Sequence, residues 1–125
     1  MIYLDLDDLV YVAARSIGAP AEVRDYGLLE AAVARPRTTV FGQDAYPSLF
    51  DKAAALVHSV ARNHALVDGN KRLGWLATAV FLEINDASVA TASNDDVFDL
   101  VMRIAASTVE VAEIADVLRS FHLRR

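Results

Sequence analysis

Apolar side chains recur at three- and four-residue steps along nearly the whole chain, the spacing that gathers them on one stripe of a helix. The first such stretch runs from about Leu6 to Ile17. Asp5 stands where a cap is wanted, Asp7 and Asp8 suit the positive end of the helix dipole, and Gly18 follows the end. A second helix begins near Asp25, carries Leu28, Leu29, Ala32 and Val33 inward, and stops before Pro36. The pattern then breaks over residues 36–47, where Thr, Val, Phe and Tyr favour extended backbone and Gly42 permits a turn.

Ser48 opens a third helix whose stripe of Phe50, Ala53, Ala54, Val57, Val60 and Ala61 ends at His64. A helix from about Gly69 to Ile84 is apolar nearly all round, through Leu73, Trp75, Leu76, Ala79, Val80, Phe81 and Leu82, and is expected at the centre. Asn85-Asp86 ends it, and Ala87 to Ala92 reads as a short extended piece. Ser93 or Asn94 then starts a helix through Val97, Leu100, Val101 and Ile104. Ser107-Thr108-Val109-Glu110 resembles a capping box before a last helix that reaches about Phe121. The prediction is one all-α domain over residues 1–125, with about six helices and one non-helical loop.

Composition narrows the classes. With 125 residues, 54% of them hydrophobic, the chain can bury one core and no second. A net charge of −5, with the basic residues scattered apart from Lys71-Arg72 and Arg124-Arg125, argues against a nucleic-acid-binding face. The terminal pair reads as a solvated tail. There is no cysteine, which removes disulfides and thiolate metal sites. The N-terminus lacks the layout of a signal peptide and no apolar stretch approaches a membrane span, so a reducing, cytoplasmic location is expected.

One segment does not fit a plain helix start. Asp68 is a plausible N-cap and Gly69 permits close approach, yet Lys71 and Arg72 place two cations against the positive end of a dipole. A bound polyanion removes that anomaly, because free N–H groups and two cations then converge on it. The alternative is that both cations are simply solvated, with Asp68 pairing to Arg72 one turn on. His64 lies just before this start, where a neutral imidazole can take a proton from a hydroxyl nucleophile. Asp68 supplies hard oxygen suited to magnesium. Base, metal ligand, oxyanion donors and cations within one segment make up the kit for phosphoryl transfer. His58 reads as a helix-flank residue and His122 as a histidine welcome at a helix C-terminus. The three histidines lack metal-ligand spacing, and no P-loop, nucleophile elbow or kinase catalytic loop is present.

His64-Ala65-Leu66-Val67-Asp68-Gly69-Asn70-Lys71-Arg72 resembles the signature His-x-Phe-x-(Asp/Asn)-(Gly/Ala)-Asn-Lys-Arg of the Doc ("death on curing") toxins, a branch of the Fic superfamily. Gly27-Leu28-Leu29-Glu30, Ala34-Arg35-Pro36, the stretch from Tyr46 to Ala54 and Phe81-Leu82-Glu83-Ile84-Asn85 look like Doc chains as well. The resemblance implies an all-α Fic/Doc bundle, ATP and Mg2+ as reactants, and a toxin that moves the γ-phosphate of ATP onto a threonine of elongation factor Tu. Carried over, His64 is the base, Asp68 the magnesium ligand, and Asn70, Lys71 and Arg72 with the Gly69 backbone hold the phosphates.

Fic AMP-transferases are similar but carry Gly-Asn-Gly-Arg-x-x-Arg. Here Lys71 replaces the second Gly and Trp75 the second Arg, which favours transfer of the γ-phosphate over AMP. Leu66 stands in place of the usual Phe and remains a bulky anchor. The 38–47 loop corresponds to the flap that aligns an extended target segment in Fic relatives; an ordinary connector is its other reading. Arg35 is explained as well by capping as by ligand contact. No Ser/Thr-x-x-x-Glu-(Gly/Asn) inhibitory string is present, so restraint is expected from an antitoxin whose C-terminal tail folds into an apolar groove near His64. The competing readings are a Fic-like AMP-transferase and a binding module that has lost catalysis.

Overall fold

The computed structural model describes residues 1–123; the Arg124-Arg125 tail lies outside the described residues. Six helices form among them: α1 (Leu6–Ile17), α2 (Tyr26–Ala34), α3 (Leu49–Asn63), α4 (Asn70–Ile84), α5 (Asn94–Ala105) and α6 (Val111–Leu123). Local chemistry accounts for most ends. Asp5 and Ser48 form reciprocal capping boxes with Asp8 and Asp51, and Asp25 and Ser93 accept from the N–H groups of Leu28 and Asp96. Gly18 closes α1 in the left-handed region, and Pro36 sits in a 3-10 turn, Arg35–Arg37, that continues α2.

The 38–47 loop is a short hairpin. Strands β1 (Thr39–Val40) and β2 (Gln43–Asp44) pair antiparallel, Thr39 opposite Asp44 and Val40 opposite Gln43. Its two-residue tip, Phe41 and Gly42, has φ of 52° and 78°, and the Phe41 side chain is fully exposed. Lys52, buried on α3, ties the hairpin down through Asp44 Oδ2 at 3.1 Å and the Tyr46 carbonyl.

The central helix is α3, not the segment after Gly69. It packs on α2, α4, α5, α6 and the 3-10 turn, and buries an unbroken run from Lys52 to Val57. Helix α4 is more one-sided than its composition suggested, for Val80 and Ile84 remain exposed. Alanines let the two helices approach closely: a Cβ on Gly74 would lie 3.4 Å from the Ala61 nitrogen. Two further expectations change. Ala87 to Ala92 forms no strand; it is coil and turn, with Ala87 and Val89 buried. Residues 107–110 form no capping box among the described residues; α6 starts after Glu110, whose carbonyl accepts from the Ile114 N–H. Ser107 has φ 65° and the Thr108 hydroxyl donates back to the Arg103 carbonyl, so these two residues end α5.

One core runs through all six helices, with Leu9, Leu29, Leu56, Leu66, Leu73, Phe81, Ile104 and Leu118 fully buried. Each such side chain contributes roughly 1.5–3 kcal/mol. Leu66 belongs to the loop between α3 and α4, so the core itself anchors the segment on which the candidate chemistry sits.

Candidate active site

Helix α3 stops at Asn63 because His64 turns into the left-handed region, φ 55° and ψ 40°. That conformation costs a non-glycine residue roughly 1–2 kcal/mol and persists only where neighbours enforce it. Here they do. Asn63 donates from Nδ2 to the Leu28 carbonyl at 2.9 Å and accepts from the Ala65 N–H. The Ala65 carbonyl takes the N–H groups of Arg24 and Asp25, Val67 donates to the Glu22 carbonyl, and Val23 bridges Leu66. Leu66 is 1% exposed, so the leucine anchors the loop in the core. His64 itself is exposed and forms no hydrogen bond among the described residues.

The start of α4 differs from the expected one. Gly69, at φ 87°, is the N-cap and makes no side-chain cap; Asp68 accepts only from the Gly69 N–H at 2.8 Å. The first intrahelical bond runs from Leu73 to the Gly69 carbonyl, which leaves the N–H groups of Asn70, Lys71 and Arg72 without helical acceptors. Lys71 and Arg72 are exposed, and neither forms an ion pair among the described residues; the alternative Asp68–Arg72 pair is not made. Free donors and two uncompensated cations at a helix start are the features that bind a polyanion.

All six predicted residues, His64, Asp68, Gly69, Asn70, Lys71 and Arg72, line one cavity of about 890 Å3 between α1, α4 and α5. That volume lies in the range of small-ligand and cofactor sites. Asn70 does more than its motif position implies. Its Oδ1 accepts from the Leu66 N–H at 2.9 Å and its Nδ2 donates to the Leu66 carbonyl at 3.1 Å. The side chain therefore clamps the loop, leaving its backbone N–H and one amide hydrogen for a ligand. The hairpin is not part of this cavity's wall among the described residues.

Sequence reasoning missed the bracing residues. Arg35 does not cap α2 with its side chain. Its Nε donates to the Tyr46 hydroxyl and its Nη1 to Ser59 Oγ, while His58 Nδ1 lies 2.8 Å from Nη1. His122 stands in the last turn of α6, as expected, and also packs its ring on Phe50 and lies against the Ser88 backbone. Asn63 carried no signal beyond being an amide next to a candidate base.

Burial, then Arg35 and Arg62, hold the His58 imidazole below its ordinary value, with Glu110 opposing them. The unfolded chain therefore takes up a proton at His58 before the folded one does. Stability is full above about pH 6.5 and falls as pH drops toward the lowered folded value. Thermal unfolding scans from pH 7.5 to 5 are expected to show this decline, and His58→Gln is expected to flatten it.

An all-helical fold with these features is that of the Fic/DOC family, to which the chain belongs: the model of that family matches residues 3–82. The chain is also 50% identical over 120 residues to "Toxin Doc" of Mycolicibacterium smegmatis, an alignment that covers 95% of this chain and 92% of that protein.

Proposed function

We propose that this protein is the toxin of a toxin–antitoxin pair and acts as a kinase, moving the γ-phosphate of ATP to a threonine hydroxyl of elongation factor Tu. The observation that carries the reading is the convergence of an exposed histidine, a carboxylate and an uncompensated cationic helix start on one cavity. The toxin role rests on the similarity to Toxin Doc.

His64 takes the proton of the attacking hydroxyl. The hydroxyl oxygen bonds to the γ-phosphorus as the bridge to the β-phosphate breaks, and ADP leaves. Lys71, Arg72 and the first N–H groups of α4 hold the phosphate oxygens, whose charge they stabilise during transfer. Asp68 fits a magnesium ligand, since its exposed carboxylate meets a single N–H and keeps lone pairs free. The ion would supply charge neutralisation to the phosphates. Lys71 and Trp75 stand where AMP-transferases carry Gly and Arg. Trp75 lies in the cavity wall, edge-on to Phe121, and gives no second cationic clamp for an α-phosphate.

The same cavity offers an apolar flank to an antitoxin tail. Trp75, Val97 and Val101 line it, and Phe98 and Met102 on α5 are exposed. No helix among the described residues is long and apolar enough to cross a membrane. The test is incubation with elongation factor Tu and ATP labelled at the γ or the α position. Label from the γ position alone is expected on the target; α label there would make the protein an AMP-transferase, and neither label would remove the enzyme reading.

A further inference from the structure

A second basic cluster lies away from the cavity of His64. Arg35, His58, Ser59 and Arg62 line an open depression of about 550 Å3 between α2 and α3, walled by Leu28, Ala31 and Thr38. Both ring nitrogens of His58 face a guanidinium: Nδ1 lies 2.8 Å from Arg35 Nη1, and Nε2 lies 2.9 Å from Arg62 Nη1. A guanidinium only donates, and a neutral imidazole has one acceptor nitrogen and one N–H. Whichever tautomer is present, one of the two contacts sets donor against donor.

Ser59, Tyr46 and the Ala55 carbonyl fix Arg35, so it cannot swing away to relieve the conflict. Arg62 is exposed, and its other hydrogens have no protein acceptor among the described residues. Among the described residues no Asp or Glu forms an ion pair with either arginine; Glu110, which acts on His58, makes no ion pair there. Two positive charges and a surplus donor therefore share one depression with small apolar walls.

We propose that Arg35, His58 and Arg62 form a second oxyanion site, separate from the one at the start of α4, that takes a phosphate or carboxylate group. An oxyanion accepts at once from the His58 Nε2–H and the Arg62 guanidinium, which removes the donor conflict. Charge-assisted bonds of this kind are the strong ones, and the fixed position of Arg35 means little ordering is needed on binding. Arg62 precedes His64 by two residues, and Arg35 holds Tyr46 at the base of the hairpin. The group bound here thus sits between the hairpin and the end of α3 that presents the base.

The ring resonances of His58, assigned through His58→Gln, report binding in the full-length protein. The titrations use Lys71→Gln/Arg72→Gln, which clears the first anion site, with inorganic phosphate, acetate, and potassium chloride at matched ionic strength. A saturable shift of the His58 resonance with phosphate or acetate, absent with chloride, is expected. Adding Arg62→Gln, an exposed change checked for unaltered unfolding, is expected to weaken that binding about tenfold. The bound anion also moves the His58 titration midpoint upward, against the effect of Arg35 and Arg62. Response to phosphate alone identifies the ligand as a phosphate group, and response to acetate alone as a carboxylate side chain. No saturable shift with either, or equal affinity in Arg62→Gln, overturns the proposal.

Discussion

His64→Ala is expected to lower phosphoryl transfer by about 100- to 10,000-fold, the range that a positioned general base supplies. Cells that express it should grow as if the toxin were absent. The side chain is exposed and forms no hydrogen bond among the described residues, so its removal leaves packing intact. Thermal unfolding should move little, because alanine pays the same left-handed backbone cost at φ 55°. His64→Gly is the sharper companion. It relieves that cost and is expected to be at least as stable as the parent, yet equally inactive. Loss of activity without loss of stability ties the effect to chemistry. An Ala variant that still arrests growth would mean that the protein acts by binding a partner, and the kinase reading would fall.

The helices were legible where their signals are local. Asp5, Ser48 and Ser93 cap within three residues, and the apolar stripes continue from them without interruption. The candidate site was legible for the same reason: six of its residues lie within nine positions, and two misplaced cations mark them. What the sequence hid depends on distant partners. The places of Arg35 and His122 at helix ends are legible, but not the side-chain partners, Tyr46 and Ser59 for the one and Phe50 and Ser88 for the other, which only the fold brings to them. Ser107-Thr108-Val109-Glu110 has a cap's composition, but Ser107 turns left-handed and its N–H and that of Thr108 go back to the Ile104 and Arg103 carbonyls, so α6 starts only after Glu110. The identity of the central helix was misread for a related reason. A run of small residues in α3 registers as weakly hydrophobic, whereas in three dimensions it allows close approach on several sides.

Asn70 ties the loop after α3 to the start of α4. The proposed function makes it a phosphate ligand, while its side chain holds the buried Leu66 peptide by both its N–H and its carbonyl. Asn70→Ala leaves both groups without partners in a part-buried loop. An unsatisfied buried group costs roughly 1–3 kcal/mol, so the variant is expected to lose about 2–4 kcal/mol of stability in denaturant unfolding. With the clamp gone, the left-handed turn at His64 loses one of its supports, and transfer should fall well beyond the effect of a single lost phosphate contact. Asn70→Asp separates the roles. Its carboxylate still accepts the Leu66 N–H, so amide exchange at Leu66 should stay slow, whereas in Asn70→Ala it should become fast. The added negative charge at the start of α4 opposes ATP, so the Asp variant is expected to show raised KM in a loop that keeps the bond to the Leu66 N–H and loses the one to the Leu66 carbonyl. If Asn70→Ala unfolds like the parent and Leu66 remains protected, the clamp carries no weight, and Asn70 acts on the phosphates alone.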